Sequence, residues 1–280
     1  MLIQSPAKLN RFLHIVGRRS DGYHLLQTAF ELIDWCDEIE LEATSDGIVE
    51  RVDGPSDIDP NADLCVRAAN ALRRFAPARG CRIRLRKSIP HGAGLGGGSG
   101  NAAMVLRTLN QLWDLKLTAR ALADIGLELG ADVPIFVHGV PAWAEGVGER
   151  LTPLPFVARR YLVVFPGIAT PTAPMFAHAD LPRATAAIAI ADYQAGATQN
   201  DFESLACRLY PAIAEAREFL EKIGPVRLTG SGSALFVENP PPVTEVVMAG
   251  APLNWRWKIC NSLQIPFDSV NKQPPELSAP

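Results

Sequence analysis

The strongest chemical signal in this chain is a glycine-rich run made of Pro90, His91, Gly92, Ala93, Gly94, Leu95, Gly96, Gly97, Gly98, Ser99 and Gly100. Glycines let a backbone come close to a bulky anion, and a helix starting among them offers unpaired N–H groups and the positive end of its dipole. Phosphate is the ligand that such a loop suits. The spacing Gly92-x-Gly94-x-x-Gly97 also satisfies the dinucleotide fingerprint, but that fingerprint needs a strand, a helix and then a second parallel strand ending in an acidic residue. Here the apolar periodicity puts helix after helix, which argues against an oxidoreductase. A Walker A loop requires Gly-Lys before Ser or Thr, and the chain has no Gly-Lys dipeptide. A ligand-free turn is the remaining reading, at an entropic cost for ordering so many glycines.

Other residues carry chemistry only in combination. Lys8, in Ser5-Pro-Ala-Lys-Leu-Asn10, lies where Pro6 and the alternation of Ala7 with Leu9 predict a first strand, and a lone lysine is ordinarily a solvated surface residue. Asp132, in Gly130-Ala-Asp-Val-Pro134, follows a predicted helix end; Pro134 favours an extended Val133, so alone it reads as a turn carboxylate. Asp21-Gly22-Tyr23-His24 is a turn followed by an aromatic ring and an imidazole, able to grip a ring or merely to cap a strand. His14, His91, His138 and His178 have neither metal-ligand nor triad spacing. No metal site is identified.

The elements that must position these residues follow from periodicity. Ile39 to Glu42 and Ile48 to Val52 flank Asp46-Gly47, which predicts a hairpin. Leu64, Ala68, Leu72 and Phe75 stand at helical spacing behind Asn61, a candidate cap. Cys81, Ile83 and Leu85 alternate with Arg82, Arg84 and Arg86, a strand that Pro90 closes. Behind the glycine run, Ala102, Val105, Leu106, Leu109 and Leu112 or Trp113 mark a helix; Thr118, Leu122, Ile125 and Leu129 mark the next, stopped by Gly130. Tyr161 to Phe165 reads as a buried strand opening a second domain. A helix from Phe202 to Leu220 is bent or divided at Pro211, and residues 228–237 read as two short strands around a glycine turn. The result is an α+β chain of two domains, 1–155 and 156–262, with a polar, proline-rich tail over 263–280 predicted to be disordered.

Composition narrows the function classes. A chain of 280 residues, 48% hydrophobic and 20% charged, has the usage of a globular protein with a real core. A formal net charge of −3 supplies no overall positive field for nucleic acid. No apolar run approaches the roughly 18 residues needed to span a bilayer, and the first residues lack a signal-peptide pattern. Five scattered cysteines without a C-x-x-C pair suggest reduced thiols. A cytoplasmic protein without membrane or nucleic-acid partners is expected.

Three separated segments, Pro6-Ala-Lys-Leu-Asn10, Pro90 to Ser99 and Leu228-Thr229-Gly230-Ser231-Gly232, resemble in order the three motifs of the GHMP small-molecule kinases. Within that superfamily, Ala7 to Asn10, Gly17 to Gln27, Gly130 to Pro134 and Thr170-Pro-Thr172 with Phe176 resemble the 4-diphosphocytidyl-2-C-methyl-D-erythritol kinases; the likeness spans about residues 3 to 237. The resemblance implies ATP-dependent phosphorylation of the 2-hydroxyl of a cytidine-diphosphate-linked methylerythritol, a step of the non-mevalonate isoprenoid pathway. It also implies an N-terminal domain like the second domain of ribosomal protein S5, a ferredoxin-like C-terminal domain, and a cleft between them. Asp132 then matches the family's catalytic aspartate and Lys8 its partner; Pro90 to Gly100 match the ATP loop. Tyr23, His24 and Phe176 match the cytosine-gripping positions, and Asn10 and Thr172 substrate contacts. Thr229, Gly230, Ser231 and Gly232 match the third motif, and Mg²⁺ is expected with the ATP.

Two positions depart from that pattern. Gly100 stands where the family commonly carries a second serine, and the stretch from Trp255 onward does not resemble the family's ending. Two other readings remain: another kinase of the superfamily, of homoserine or mevalonate type, and a metabolite sensor of the same fold without turnover. Tyr23, His24 and Phe176 argue against the first, and the presence of Lys8 and Asp132 against the second.

Overall fold

The computed structural model describes residues 1–193 and 198–267. The chain opens with two long antiparallel strands, β1 (Leu2–Arg18) and β2 (His24–Thr44), rich in β-branched and aromatic residues. Two shorter strands follow, β3 (Val49–Asp53) and β4 (Gly80–Arg86). On one face lie four helices: α1 (Leu64–Leu72), α2 (Gly97–Leu112), α3 (Ala119–Leu129) and α4 (Val133–His138). The hairpin β5 (Ala142–Glu145) and β6 (Arg150–Pro153) pairs with the first part of β2.

The predicted hairpin around Asp46-Gly47 does not form. β4 lies between β2 and β3, antiparallel to the first and parallel to the second. Charge and burial together explain this: Glu38, Glu40 and Glu42 of β2 stand opposite Arg86, Arg84 and Arg82, while Ile39 and Leu41 share the buried face with Ile83 and Leu85. Arg86 reaches Glu38 at 2.8 Å and Arg84 reaches Glu40 at 3.2 Å. Each exposed pair is worth less than about 1 kcal/mol, yet like signs in register would oppose pairing. The arginine row is thus neutralised rather than a free basic patch.

Two local expectations change. Asp63, not Asn61, caps α1: its carboxylate accepts the Cys65 N–H at 2.8 Å and pairs with buried Arg51 at 2.6 Å. Val133 is not held extended by Pro134 but begins α4, because proline fits the first helical turn, where its missing N–H has no partner to lose.

The second domain comprises β7 (Arg160–Phe165), α5 (Thr172–Ala177), α6 (Glu203–Leu209), α7 (Pro211–Leu220), β8 (Val226–Leu228), β9 (Leu235–Glu238), α8 (Thr244–Met248) and β10 (Arg256–Leu263). Its strands are ordered β10-β7-β9-β8, all antiparallel, with α6 and α7 before β8 and α8 before β10. This is the ferredoxin-like arrangement. Pro211 divides the long helix into α6 and α7, as its sequence position predicts.

The expected boundary at 155 falls in the connection between β6 and β7. The strand β10 crosses it: Arg256 to Asn261 pair with β7, and Ser262 and Leu263 pair with Ile33 and Leu32 of β2. A seam core of Ala7, Leu9, Trp35 and Leu95 against Tyr161, Val163 and Phe236 fills the join, each large side chain contributing about 1.5–3 kcal/mol by burial. Residues 263–267, the first part of the expected tail, pack against the first domain instead. The buried Arg107 guanidinium donates to the Ile265 and Pro266 carbonyls, each at 2.9 Å, and the Ile265 N–H donates to Gly139 O at 2.6 Å. Buried donors need acceptors, and these carbonyls supply them. Residues 268–280, the rest of the expected tail, lie outside the described residues.

Candidate active site

The glycine run turns sharply three times. Gly92, Gly94 and Gly96 have φ of 65°, 74° and 69°, a region that side chains rarely adopt. Gly96 precedes α2 without any capping side chain, and the first helical bond runs from Gly100 N–H to Gly96 O at 2.8 Å. The N–H groups of Gly97, Gly98 and Ser99 therefore have no intrahelical acceptor, which leaves a positive dipole end over the cleft. The loop is stitched to the second domain: Ala234 N–H donates to Ala93 O and Thr170 N–H to Gly92 O, both at 3.0 Å. Close approach explains Gly94, where a Cβ would stand 2.3 Å from the Thr229 carbonyl oxygen.

Thr229 joins the motifs from the other side. Its hydroxyl accepts the Asn10 N–H at 2.9 Å and points to Gly94 O at 3.4 Å. Gly230 and Gly232 both take positive φ, and the Ser231 hydroxyl meets that of Thr172 at 3.1 Å. The three separated motifs thus converge on one cleft.

Lys8 projects from β1 into its floor. The side chain is almost wholly buried, its ammonium donating to Asn10 Oδ1 and to Gly94 O at 3.0 Å and lying 3.3 Å from Asp132 Oδ2. Asp132 precedes α4 with its carboxylate uncommitted to capping and 37% exposed. Asn10 is oriented from behind, its Nδ2 donating to Thr28 Oγ1 at 3.0 Å. An ammonium and a partly open carboxylate thus face one space of about 420 Å³, walled by the glycine loop.

A second cavity, about 640 Å³, continues from the first through Leu26, Ala131, Val147, Thr172 and Phe176. Tyr23, His24 and Phe176 all line it. The His24 and Phe176 rings lie 5.0 Å apart at 31°, while Tyr23 is 64% exposed at the rim. The α5 helix carries Thr172 and Phe176 four residues apart, hence on one face. Burial, then the nearby Arg183 and Arg18 cations, hold the His24 imidazole below its usual pKa.

Two groups escape the sequence reading. Lys87 lines the first cavity beside the start of α2, held by the fully buried Asp37 carboxylate, which also accepts from the Ser88 and Ile89 N–H groups and from Asn101 Nδ2. Arg183, which also lines the second cavity, donates to His24 Nε2 at 3.3 Å. Their only sequence signal is a single cation near a motif. Gly100, where a serine is common in the resembling family, has a packing reason: a Cβ there would stand 2.7 Å from Pro6 O.

Comparison with known proteins agrees with this geometry. Residues 63–140 match the GHMP kinases N terminal domain and residues 183–243 the GHMP kinases C terminal family. The 4-diphosphocytidyl-2-C-methyl-D-erythritol kinase of Azoarcus sp. (strain BH72) is 45% identical over 257 residues, 91% of each chain. That of Xanthomonas oryzae pv. oryzae (strain MAFF 311018) is 50% identical over 237 residues, 84% of this chain and 80% of its own. A crystal structure of 4-(cytidine 5'-diphospho)-2C-methyl-D-erythritol kinase superposes with a TM-score of 0.80 at 33% identity, covering 95% of this chain and all of that one. A mevalonate kinase structure, 14% identical with a TM-score of 0.66, shares the fold alone. With three motifs gathered in one cleft and relatives this similar along nearly the whole chain, the protein belongs to the 4-diphosphocytidyl-2-C-methyl-D-erythritol kinase family of ATP-dependent GHMP kinases.

Proposed function

We propose that the protein transfers the γ-phosphoryl group of ATP to the 2-hydroxyl of 4-diphosphocytidyl-2-C-methyl-D-erythritol, in the cytoplasm and within the non-mevalonate route to isoprenoid precursors. The observation that carries this reading is the Lys8–Asp132 pair, 3.3 Å apart, in a glycine-loop cavity that runs on into an aromatic cavity. Five unpaired cysteines fit a reducing compartment, and no described helix is long and apolar enough to cross a membrane.

ATP phosphates would lie against the N–H groups of Gly97, Gly98 and Ser99, with Lys87 adding positive charge beside them. The cytosine would occupy the second cavity between Tyr23 and Phe176, with His24 at its edge. Asn10 and Thr172 would orient the methylerythritol between the two ends. Asp132 takes the proton of the 2-hydroxyl as its oxygen bonds to the γ-phosphorus; the bond from phosphorus to the β,γ-bridging oxygen breaks and ADP leaves. Lys8 holds the hydroxyl and the carboxylate together and offsets charge building on the transferring group.

Mg²⁺ fits this site as a guest of the nucleotide. Among the described residues no group of three or more His, Cys, Asp or Glu side chains is gathered to hold a metal. Phosphate oxygens and water would therefore supply most ligands, with the Ser99 hydroxyl as the protein's contribution. When bound, the ion neutralises phosphate charge and aligns the γ-phosphoryl group.

Release of ADP, measured by a coupled assay, tests the proposal. Turnover is expected with the diphosphocytidyl substrate and not with homoserine, galactose or mevalonate. Preferred turnover of any of those three would overturn it.

A further inference from the structure

Arg183 takes no part in the transfer chemistry, yet all three of its guanidinium nitrogens are engaged at the aromatic cavity. Nη2 donates to the carbonyls of Phe176 at 3.2 Å and His178 at 2.7 Å, and Nη1 to those of Ala179 and Leu181, both at 3.2 Å. The remaining Nε–H donates to His24 Nε2 at 3.3 Å. A guanidinium only donates and stays protonated throughout the physiological range. Nε2 must then be the bare nitrogen of a neutral ring, so the ring proton sits on Nδ1. Among the described residues nothing hydrogen-bonds Nδ1, and His24 lines the cavity. Burial and the flanking Arg183 and Arg18 cations both disfavour the imidazolium.

We propose that Arg183 is a positioning residue that locks His24 as its Nδ1–H tautomer and so makes the cavity select cytosine, whose ring N3 accepts a hydrogen bond, over uracil, whose N3 carries a hydrogen. The proposal rests on the substrate reading above. An unconstrained neutral imidazole takes either tautomer and can accept from uracil as readily as it donates to cytosine. The Arg183 N–H removes that choice, since a proton on Nε2 would face a second donor. Through the Phe176 carbonyl, the same guanidinium also ties α5 of the second domain to the start of β2 in the first, fixing the two rings that bound the base.

A staple for residues 176–183 would account for the four carbonyl contacts, but removing a staple alone does not change which base binds. Cytidine 5′-diphosphate and uridine 5′-diphosphate are therefore titrated by calorimetry into the full chain with ADP saturating the nucleotide loop. Wild type is expected to bind the cytidine compound about tenfold or more tightly, because a mismatched donor leaves a buried polar group unpaired. Folded Arg183→Met brings the ratio toward one. In ¹⁵N spectra of histidine-labelled wild type, His24, assigned through His24→Gln, shows a protonated Nδ1 and a bare Nε2 at pH 7.5. This second measurement needs no Arg183 variant to fold. Equal affinities in wild type, an unchanged ratio in Arg183→Met, or an Nε2–H or imidazolium signal overturns the assignment. Preference for cytidine without turnover of the diphosphocytidyl substrate sinks the proposed reaction instead and leaves Arg183 its role.

Discussion

At the scale of single residues, the proposed mechanism divides one task between the Asp132 carboxylate and the Lys8 ammonium, and each predicts its own failure. Asp132→Asn keeps size and polarity but cannot take a proton, so kcat is expected to fall about 10²–10⁴-fold with ATP KM nearly unchanged. Steady-state kinetics on both substrates checks this; near-wild-type kcat in a folded variant would remove Asp132 from the role of base. Lys8→Met is expected to cost kcat similarly, and Lys8→Arg does not restore it. The reason is room: a Cβ on Gly96 would already stand 3.1 Å from Lys8 Cε, and a planar fork does not replace a compact ammonium there. Tyr23→Ala and Phe176→Ala are expected to raise KM for the diphosphocytidyl substrate alone, at about 1–3 kcal/mol per stacked face. A parallel rise in ATP KM would point to misfolding.

At the scale of elements, the junction of the glycine loop with α2 is built by contact as much as by flexibility. Gly94→Ala would put a methyl group 2.3 Å from the Thr229 carbonyl at a φ of 74°, so the second and third motifs must separate. Weakened ATP binding together with a lower Tm is expected, and calorimetry with nucleotide titration reads both. Gly100→Ser separates packing from binding. Gly100 is not among the positive-φ glycines, but its Cβ would meet Pro6 O at 2.7 Å, so α2 must shift off β1. A loss of about 1–3 kcal/mol in stability is expected, with ATP KM changed less than tenfold. A gain in ATP affinity at unchanged Tm would show that a hydroxyl at this position serves the nucleotide.

At the scale of the whole molecule, buried and half-buried histidines make stability depend on mild acid. Burial holds His14, His24 and His138 below the usual imidazole pKa of about 6.5. The unfolded chain therefore binds protons that the folded chain refuses as the pH drops below about 6.5. Their contribution is complete above that pH and is lost on acidification toward the folded values. Tm is expected to be level from pH 8 to 7 and to fall between 6.5 and 5, before most carboxylates titrate. A flat Tm across that interval would contradict it.

Sequence alone determined what local chemistry controls. Alternation and helical spacing predicted β4, α2, α3 and the division at Pro211, because one face of each element must be apolar. The glycine run announced phosphate through its composition, and the order of three motifs pointed to the kinase family. Only tertiary structure decided which strands pair, since β4 displaced β3 from β2 through a ladder of charges lying more than forty residues apart in sequence. Spacing left Lys8 apart from Asp132 and Phe176 apart from His24; the family resemblance implied both pairings, and the tertiary structure sets them 3.3 Å and 5.0 Å apart. It also gave Lys87, Arg183 and the segment just after β10 their partners. A charge's partner depends on distances through space, and a local pattern carries no information about them; a lone lysine or arginine therefore reads as surface until the fold closes around it.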